Sequence, residues 1–163
     1  MLTTVISGGQ NGSDQAGIKA ARLCGLATGG TAPLGYRTLD GEALWLKEYG
    51  LVEHTSPAYP PRTFDNAKNS DGTLRIARTF QSPGEKLTLK AVAAYGKPHF
   101  DVDAKDPPKP EAVAEWIIAN NIGTLNVAGN SEKSAPGIGE GAIRYLVRVF
   151  TIVKQCQADI KPV

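Results

Sequence analysis

The sequence predicts an α/β fold, a Rossmann-like three-layer sandwich with a mostly parallel central sheet and helices on both faces. Two observations carry this expectation. Short apolar, β-branched runs alternate along the chain with longer amphipathic stretches, the pattern of strands joined by helical crossovers. Glycine-rich segments also stand where strand-like runs end and helix-like runs begin, where open α/β sheets bind ligands. With 163 residues, 41% of them hydrophobic and 21% charged, the chain suits one folded domain over 1–163 without a linker or repeat.

Taken in order, Leu2–Ser7 is a short β-branched strand that stops at Gly8-Gly9. Ser13–Gly25 carries apolar residues at helical spacing, with Ser13 or Asp14 as its start and Gly25 as its stop. Thr28–Thr31 reads as a second strand, Asp40-Gly41 as a turn, and Glu42–Tyr49 as one or two helical turns. Leu51–Thr55 is strand-like. Ser56–Pro61 is expected to be irregular, because its three prolines remove donors and restrict their neighbours. Arg62–Asn69 is a short helix, and Asp71-Gly72 turns the chain into the strand Thr73–Ala77. Ser82-Pro83 opens a helix to Tyr95, stopped by Gly96. His99–Val102 is a strand, Asp106–Pro110 leads into the helix Glu111–Asn121, and Thr124–Ala128 is a strand. Pro136 begins the last helix, which runs to about Lys154, and Lys161-Pro162-Val163 reads as a frayed tail.

Composition excludes several classes. Eighteen Lys and Arg against sixteen Asp and Glu leave a net charge of +2, unlike the strongly basic surface of a dedicated nucleic-acid binder. No apolar run is long enough to span a bilayer. The start lacks the charged and apolar regions of a secretory signal, so the cytoplasm is the expected compartment. Cys24 and Cys156 match no metal-ligand spacing and are expected to be reduced. His54 and His99 are isolated, and no HExxH, GxSxG or Cys-His pattern appears. Asp101 and Asp103, two apart at a strand end, could hold a metal or a hydroxyl-bearing ligand.

Three loops carry the functional argument. The first, Gly8-Gly9-Gln10-Asn11-Gly12-Ser13-Asp14, feeds a helix N-terminus and suits close backbone approach to an anion. It is neither GxGxxG nor a phosphate-binding GK[ST] loop. The second, Ser82-Pro83-Gly84-Glu85-Lys86-Leu87-Thr88, places Lys86 near a helix start, where the helix dipole disfavours a cation unless an anion is present. The third runs from Gly129-Asn130-Ser131-Glu132 to Pro136-Gly137-Ile138. Between them, Arg62, Asn66 and Asn69 are spaced to share one helix face. From Arg62 to Lys97 seven basic residues face three acidic ones, a local excess that draws anions.

The stretches Ser7-Gly8-Gly9-Gln10-Asn11-Gly12-Ser13-Asp14, Asn69-Ser70-Asp71-Gly72-Thr73 and Leu125-Asn126-Val127-Ala128-Gly129-Asn130-Ser131-Glu132 together give the chain a specific resemblance. It resembles the molybdenum-carrier family, a circularly permuted group within the SLOG (Lonely-guy-like) Rossmann superfamily. It departs from that family's pattern at Asn11, Gln15 and Pro83-Gly84. The resemblance implies a carrier that stores and transfers the molybdenum cofactor (Moco), a phosphorylated pterin bearing a dithiolene-bound oxo-molybdenum. Molybdate is a smaller candidate cargo, and molybdenum enzymes or cofactor-biosynthesis proteins are the implied partners. The implied site combines the loop residues Gly8, Gly9, Gln10, Asn11, Gly12, Asp14, Gly84, Lys86, Thr88, Gly129, Asn130, Ser131 and Glu132 with Arg62, Asn66, Asn69 and Ser70. Glycine amides would hold the phosphate, Gln10, Asn11 and Asn66 the pterin edge, and Arg62 and Lys86 would supply positive charge.

A sensor of nucleotides or ADP-ribose derivatives is the second reading, since such ligands also present a phosphate and a heterocycle. A phosphoribohydrolase ranks last, because the chain lacks the PGGxGTxxE signature and no acid/base pair is recognisable in its loops. The apolar residues Ile138, Ile143, Leu146, Val147, Val149, Phe150 and Val153 exceed what one helix face needs, which suggests a homo-oligomer, dimer or tetramer.

Overall fold

The computed structural model describes residues 1–159; Lys161–Val163, read above as a frayed tail, lie outside the described residues. Its main sheet has six strands, all parallel: β1 (Thr4–Ile6), β2 (Ala27–Ala32), β5 (Leu51–Glu53), β6 (Gly72–Ala77), β7 (His99–Asp103) and β8 (Thr124–Gly129). Their spatial order is β5-β2-β1-β8-β6-β7. A two-stranded antiparallel ribbon, β3 (Arg37–Thr38) and β4 (Gly41–Glu42), turns at Asp40-Gly41. Two 3-10 turns, Leu34–Tyr36 and Leu44–Tyr49, flank it.

The direction of each crossover decides the face its helix covers, because parallel crossovers are right-handed. The steps β1 to β2 and β7 to β8 run one way along the sheet, and those from β5 to β6 and β6 to β7 run the other. Accordingly α1 (Ser13–Leu23) and α4 (Pro110–Ala119) pack with α5 (Ile138–Asp159), while α2 (Tyr59–Lys68) packs with α3 (Pro83–Ala94). The N-termini of α1 and α3 therefore flank the carboxyl end of β8, a switch point of the kind where such sheets form crevices.

The larger core lies under α1, α4 and α5 and includes Val5, Leu74, Leu125, Val127, Leu146 and Phe150, all fully buried. The apolar residues of α5 are used here. Leu146, Val149, Phe150 and Val153 have no exposure, and Ile143 and Val147 pack against the same core. The excess that suggested an oligomer is internal packing, because α5 lies between α1 and α4 rather than on a free surface.

One expectation about the elements is corrected. Ser56–Pro61 is not irregular throughout, since α2 begins at Tyr59 with Pro60 and Pro61 in its first turn. First-turn amides have no intrahelical acceptor, so proline there removes nothing.

Close backbone approach is decided at Gly129. Its φ is +145°, and a Cβ there would stand 1.9 Å from the Ile76 carbonyl oxygen on the neighbouring strand. Gly129→Ala is expected to lower stability by more than about 2 kcal/mol, the scale of strained backbone combined with an irreducible clash. Gly84→Ala, where an added Cβ meets nothing within 4 Å, is expected to leave stability unchanged. Urea unfolding of the two variants checks both; a neutral Gly129→Ala contradicts this account.

Candidate functional site

At the carboxyl ends of β1, β8 and β6 lies a cleft of about 240 Å³. The three loops converge on it. Gly8, Gln10 and Asp14 line it from the first loop, and Arg62 and Asn66 from α2. Gly84 and Thr88 line it from α3, and Gly129, Asn130 and Ser131 from the third loop.

Arg62 is the cleft's only basic side chain among the described residues. It reaches over Gly8, where a Cβ would fall 1.6 Å from its Nη1. Nη1 donates to Asp14 Oδ2 at 3.1 Å, and both side chains are largely buried. Arg62 Nε is buried without a hydrogen-bond partner. Burial pushes the Asp14 carboxyl above its ordinary range, against the pull of Arg62 and of the Gln10 amide.

The first loop wraps this internal carboxylate. The Gln10 amide donates to Asp14 Oδ2, the Asn11 amide to Gln10 Oε1 and the Gly9 amide to Ser7 Oγ. These three amides are therefore engaged by the protein. The amides of Gly8, Gly84, Ser131, Glu132 and Lys133 meet no acceptor among the described residues. Gly8, Gly84 and Ser131 line the cleft with Arg62, so all three loops bring a free amide to it.

Several expected site residues stand away from the cleft. Gly9 is turned toward the Leu46 and Leu51 side chains, 2.7 and 3.0 Å from where its Cβ would be. A Cβ on Gly12 would meet the Asn130 carbonyl at 2.5 Å, so this glycine lets two loops touch rather than a ligand approach. Asn11 donates from Nδ2 to Asp40 Oδ2 at 2.5 Å, toward the β3–β4 ribbon. Asn69 and Ser70 follow the C-terminus of α2, on the opposite edge of the sheet, because α2 runs antiparallel to the strands. Lys86 is exposed and does not line the cleft. Glu132 holds the start of α5, accepting from the amides of Gly137 at 2.7 Å and Gly139 at 2.8 Å.

Other residues line the cleft and also make hydrogen bonds within the protein. Asn66 accepts from the Thr31 amide and donates to the Thr31 carbonyl, replacing the strand neighbour that β1 is too short to supply. These two bonds fix the orientation of the Asn66 amide and leave it one N–H and one lone pair. Asn130 accepts from the Arg78 and Thr79 amides and donates to the Thr79 carbonyl. Thr88 donates to the Gly84 carbonyl within α3.

Two groups escaped the sequence reading. Arg75, in the middle of β6, is 3% exposed and donates to both oxygens of Asp101 at 2.7 and 2.5 Å. Asp101 is thereby a counter-ion, and no metal-holding group that includes Asp101 or Asp103 occurs among the described residues. Glu85 lines the cleft, is 2% exposed, and its Oε2 has no hydrogen-bond partner. Arg75 Nη1 stands 3.7 Å from it. Burial pushes Glu85 up to about 7, with Arg75 opposing, Asp14 and Asp101 adding to the rise, and a side-chain hydrogen bond from Asn130 drawing it back. Two buried carboxyls, Asp14 and Glu85, thus line the cleft from the first turns of α1 and α3. A charged residue inside an apolar strand was a readable signal for Arg75, whereas Glu85 was hidden in a helix-capping pattern.

The raised value has a sign. A carboxyl whose value rises from 4.5 unfolded to about 7 folded adds stability below about pH 4.5 and loses it as pH climbs through 7. Relative to Glu85→Gln, the parent protein is expected to lose thermal stability between about pH 5 and 8. Melting curves of both proteins across that range measure the difference; a constant gap contradicts the assignment.

No curated protein matches the chain. The crystal structure of a protein from Syntrophus aciditrophicus SB named "putative molybdenum carrier protein" superposes with a TM-score of 0.83 and 31% identity, over 91% of this chain and 94% of that one. Residues 5–150 match the model of the circularly permutated YpsA SLOG family. With a parallel Rossmann-like sheet, three loops on one switch-point cleft and a family match across nearly its whole length, the chain belongs to the circularly permutated YpsA SLOG family.

Proposed function

We propose that the chain binds, protects and transfers the molybdenum cofactor, acting in the cytoplasm as a carrier that leaves its cargo unchanged. The observation that carries this reading is the cleft itself. It gathers free backbone amides, one buried arginine and a buried carboxyl at a sheet switch point, in a chain 31% identical to a protein named a molybdenum carrier. Phosphate suits the amides of Gly84 and Ser131 with Arg62 beside them. The cleft lining offers no Cys or His among the described residues, so a metal-bearing cargo is held by shape, charge and hydrogen bonds.

Size supports a carrier as well. Ligand pockets commonly run from about 300 to 1,000 Å³, and this cleft is smaller, at about 240 Å³. It seats part of a cofactor of that size and leaves the rest at the mouth, accessible to an acceptor enzyme or a cofactor-biosynthesis protein. Molybdate alone is a smaller cargo for the same amides.

The test is delivery. Protein loaded with Moco is mixed with a cofactor-free molybdenum enzyme, and recovered activity is followed against free Moco. Slower decay and greater recovery are expected. If loaded protein protects and delivers no better than free Moco while ADP-ribose or a nucleotide binds at micromolar concentration, the sensor reading replaces this one. Arg62→Gln is expected to weaken Moco binding by about 1–3 kcal/mol, the scale of a lost charge-assisted hydrogen bond. Lys86→Gln is expected to leave binding unchanged, because Lys86 is exposed outside the cleft. Titrations of both variants, with melting temperatures to verify folding, check these outcomes.

A further inference from the structure

Ser82-Pro83-Gly84-Glu85 has the residues of a capping box, in which serine and glutamate at the third helical position satisfy each other's amides. Only half of the box forms. Ser82 Oγ accepts from the Glu85 amide at 3.3 Å, but the Glu85 side chain does not return to the Ser82 amide. It turns into the cleft, where it is 2% exposed and lies within reach of the Asn130 side chain, yet Oε2 meets no donor. Arg75, the neighbouring cation, is already held by both oxygens of Asp101 and by the Glu85 carbonyl. A buried carboxylate oxygen without a donor costs free energy that the available cap would have avoided. The arrangement is stabilised when a ligand supplies the missing donors.

The donors can be specified. An ionised carboxylate only accepts, and two adjacent N–H groups in one plane match its two oxygens. A phosphorylated heterocycle lying between Arg62 and Glu85 would present such a pair through a ring N–H beside an exocyclic amine. We propose that Glu85 is the specificity-determining residue of the cleft, accepting from the ring N–H and 2-amino group of a 2-amino-4-oxo heterocycle whose anionic end lies toward Arg62 and the Gly84 and Ser131 amides. This assignment rests on the carrier reading, since a pterin carries that edge. Adenine does not, presenting a donor beside an acceptor, to which a carboxylate pairs poorly.

The experiment compares 6-hydroxymethylpterin with the corresponding 6-hydroxymethyl-lumazine, in which a 2-oxo group replaces the 2-amino group, by calorimetric titration at about pH 7.5, above the value of about 7 at which Glu85 ionises. The parent protein is expected to prefer the pterin by about tenfold or more, because lumazine turns an acceptor toward the carboxylate. Glu85→Gln is expected to abolish or reverse that preference, since its amide can donate to the 2-oxo group while accepting from the ring N–H. The exposed-residue variant Lys86→Gln is expected to keep the parent's ratio. Equal affinity of the parent for both compounds overturns the assignment without any variant, and so does an unchanged ratio in Glu85→Gln. Either result leaves delivery of Moco in the transfer assay as a separate matter. If the parent binds neither compound and also fails to deliver Moco, both readings fall together.

Discussion

Asn130 is the joint on which the cleft depends. Its backbone carbonyl accepts from the Ser13 amide at the start of α1, and its own amide donates to the Ile76 carbonyl at the end of β6. Its side chain accepts from the Arg78 and Thr79 amides and donates to the Thr79 carbonyl. One buried residue thus ties the third loop to the first loop and to the segment leading into α3. The joint closes only because the surrounding backbones come close, which is why Gly12 and Gly129 cannot carry a Cβ. A fully satisfied buried network of this kind rigidifies its surroundings and favours one arrangement over others. Gly12 and Gly129 thus serve the packing of one backbone segment on another.

The sheet was legible because its strands are short apolar runs bounded by glycine, and the structure keeps β1, β8, β6 and β7 as parallel neighbours. Periodicity shows which face a residue occupies, not which end of an element faces the site. Arg62, Asn66 and Asn69 do share a spacing, yet α2 carries Asn69 to the opposite edge of the sheet. Nor does composition show which polar groups are already engaged. Asn66 has the chemistry to read a heterocycle, but the unpaired end of β2 claims both its amide atoms. Residue type alone could not separate these cases, since the competing partner is a backbone group that any residue would present.

The electrostatics of the cleft follow from the same competition. The fold places its own carboxylate, Asp14, among the first-loop amides, so a second anion there would meet repulsion. The remaining unsatisfied valences, Arg62 Nε and Glu85 Oε2, are of opposite sign and both line the same space. A ligand with an anion at one end and N–H donors at the other matches them; a simple anion matches only one.

A carrier must also release what it holds, and the pairing of Arg62 with Asp14 bears on this. A free buried guanidinium would bind a phosphate tightly and give it up slowly, whereas one already sharing its charge with Asp14 gains less from a second anion. An anion arriving at Arg62 would also meet the Asp14 carboxyl, which burial already holds above its ordinary range. Neither cysteine lines the cleft: Cys24 caps the C-terminus of α1, where Lys154 of α5 donates to its carbonyl, and Cys156 lies within α5. That contact lies at the amino edge of the sheet, away from the cleft, so Cys24 is no part of the cleft's lining.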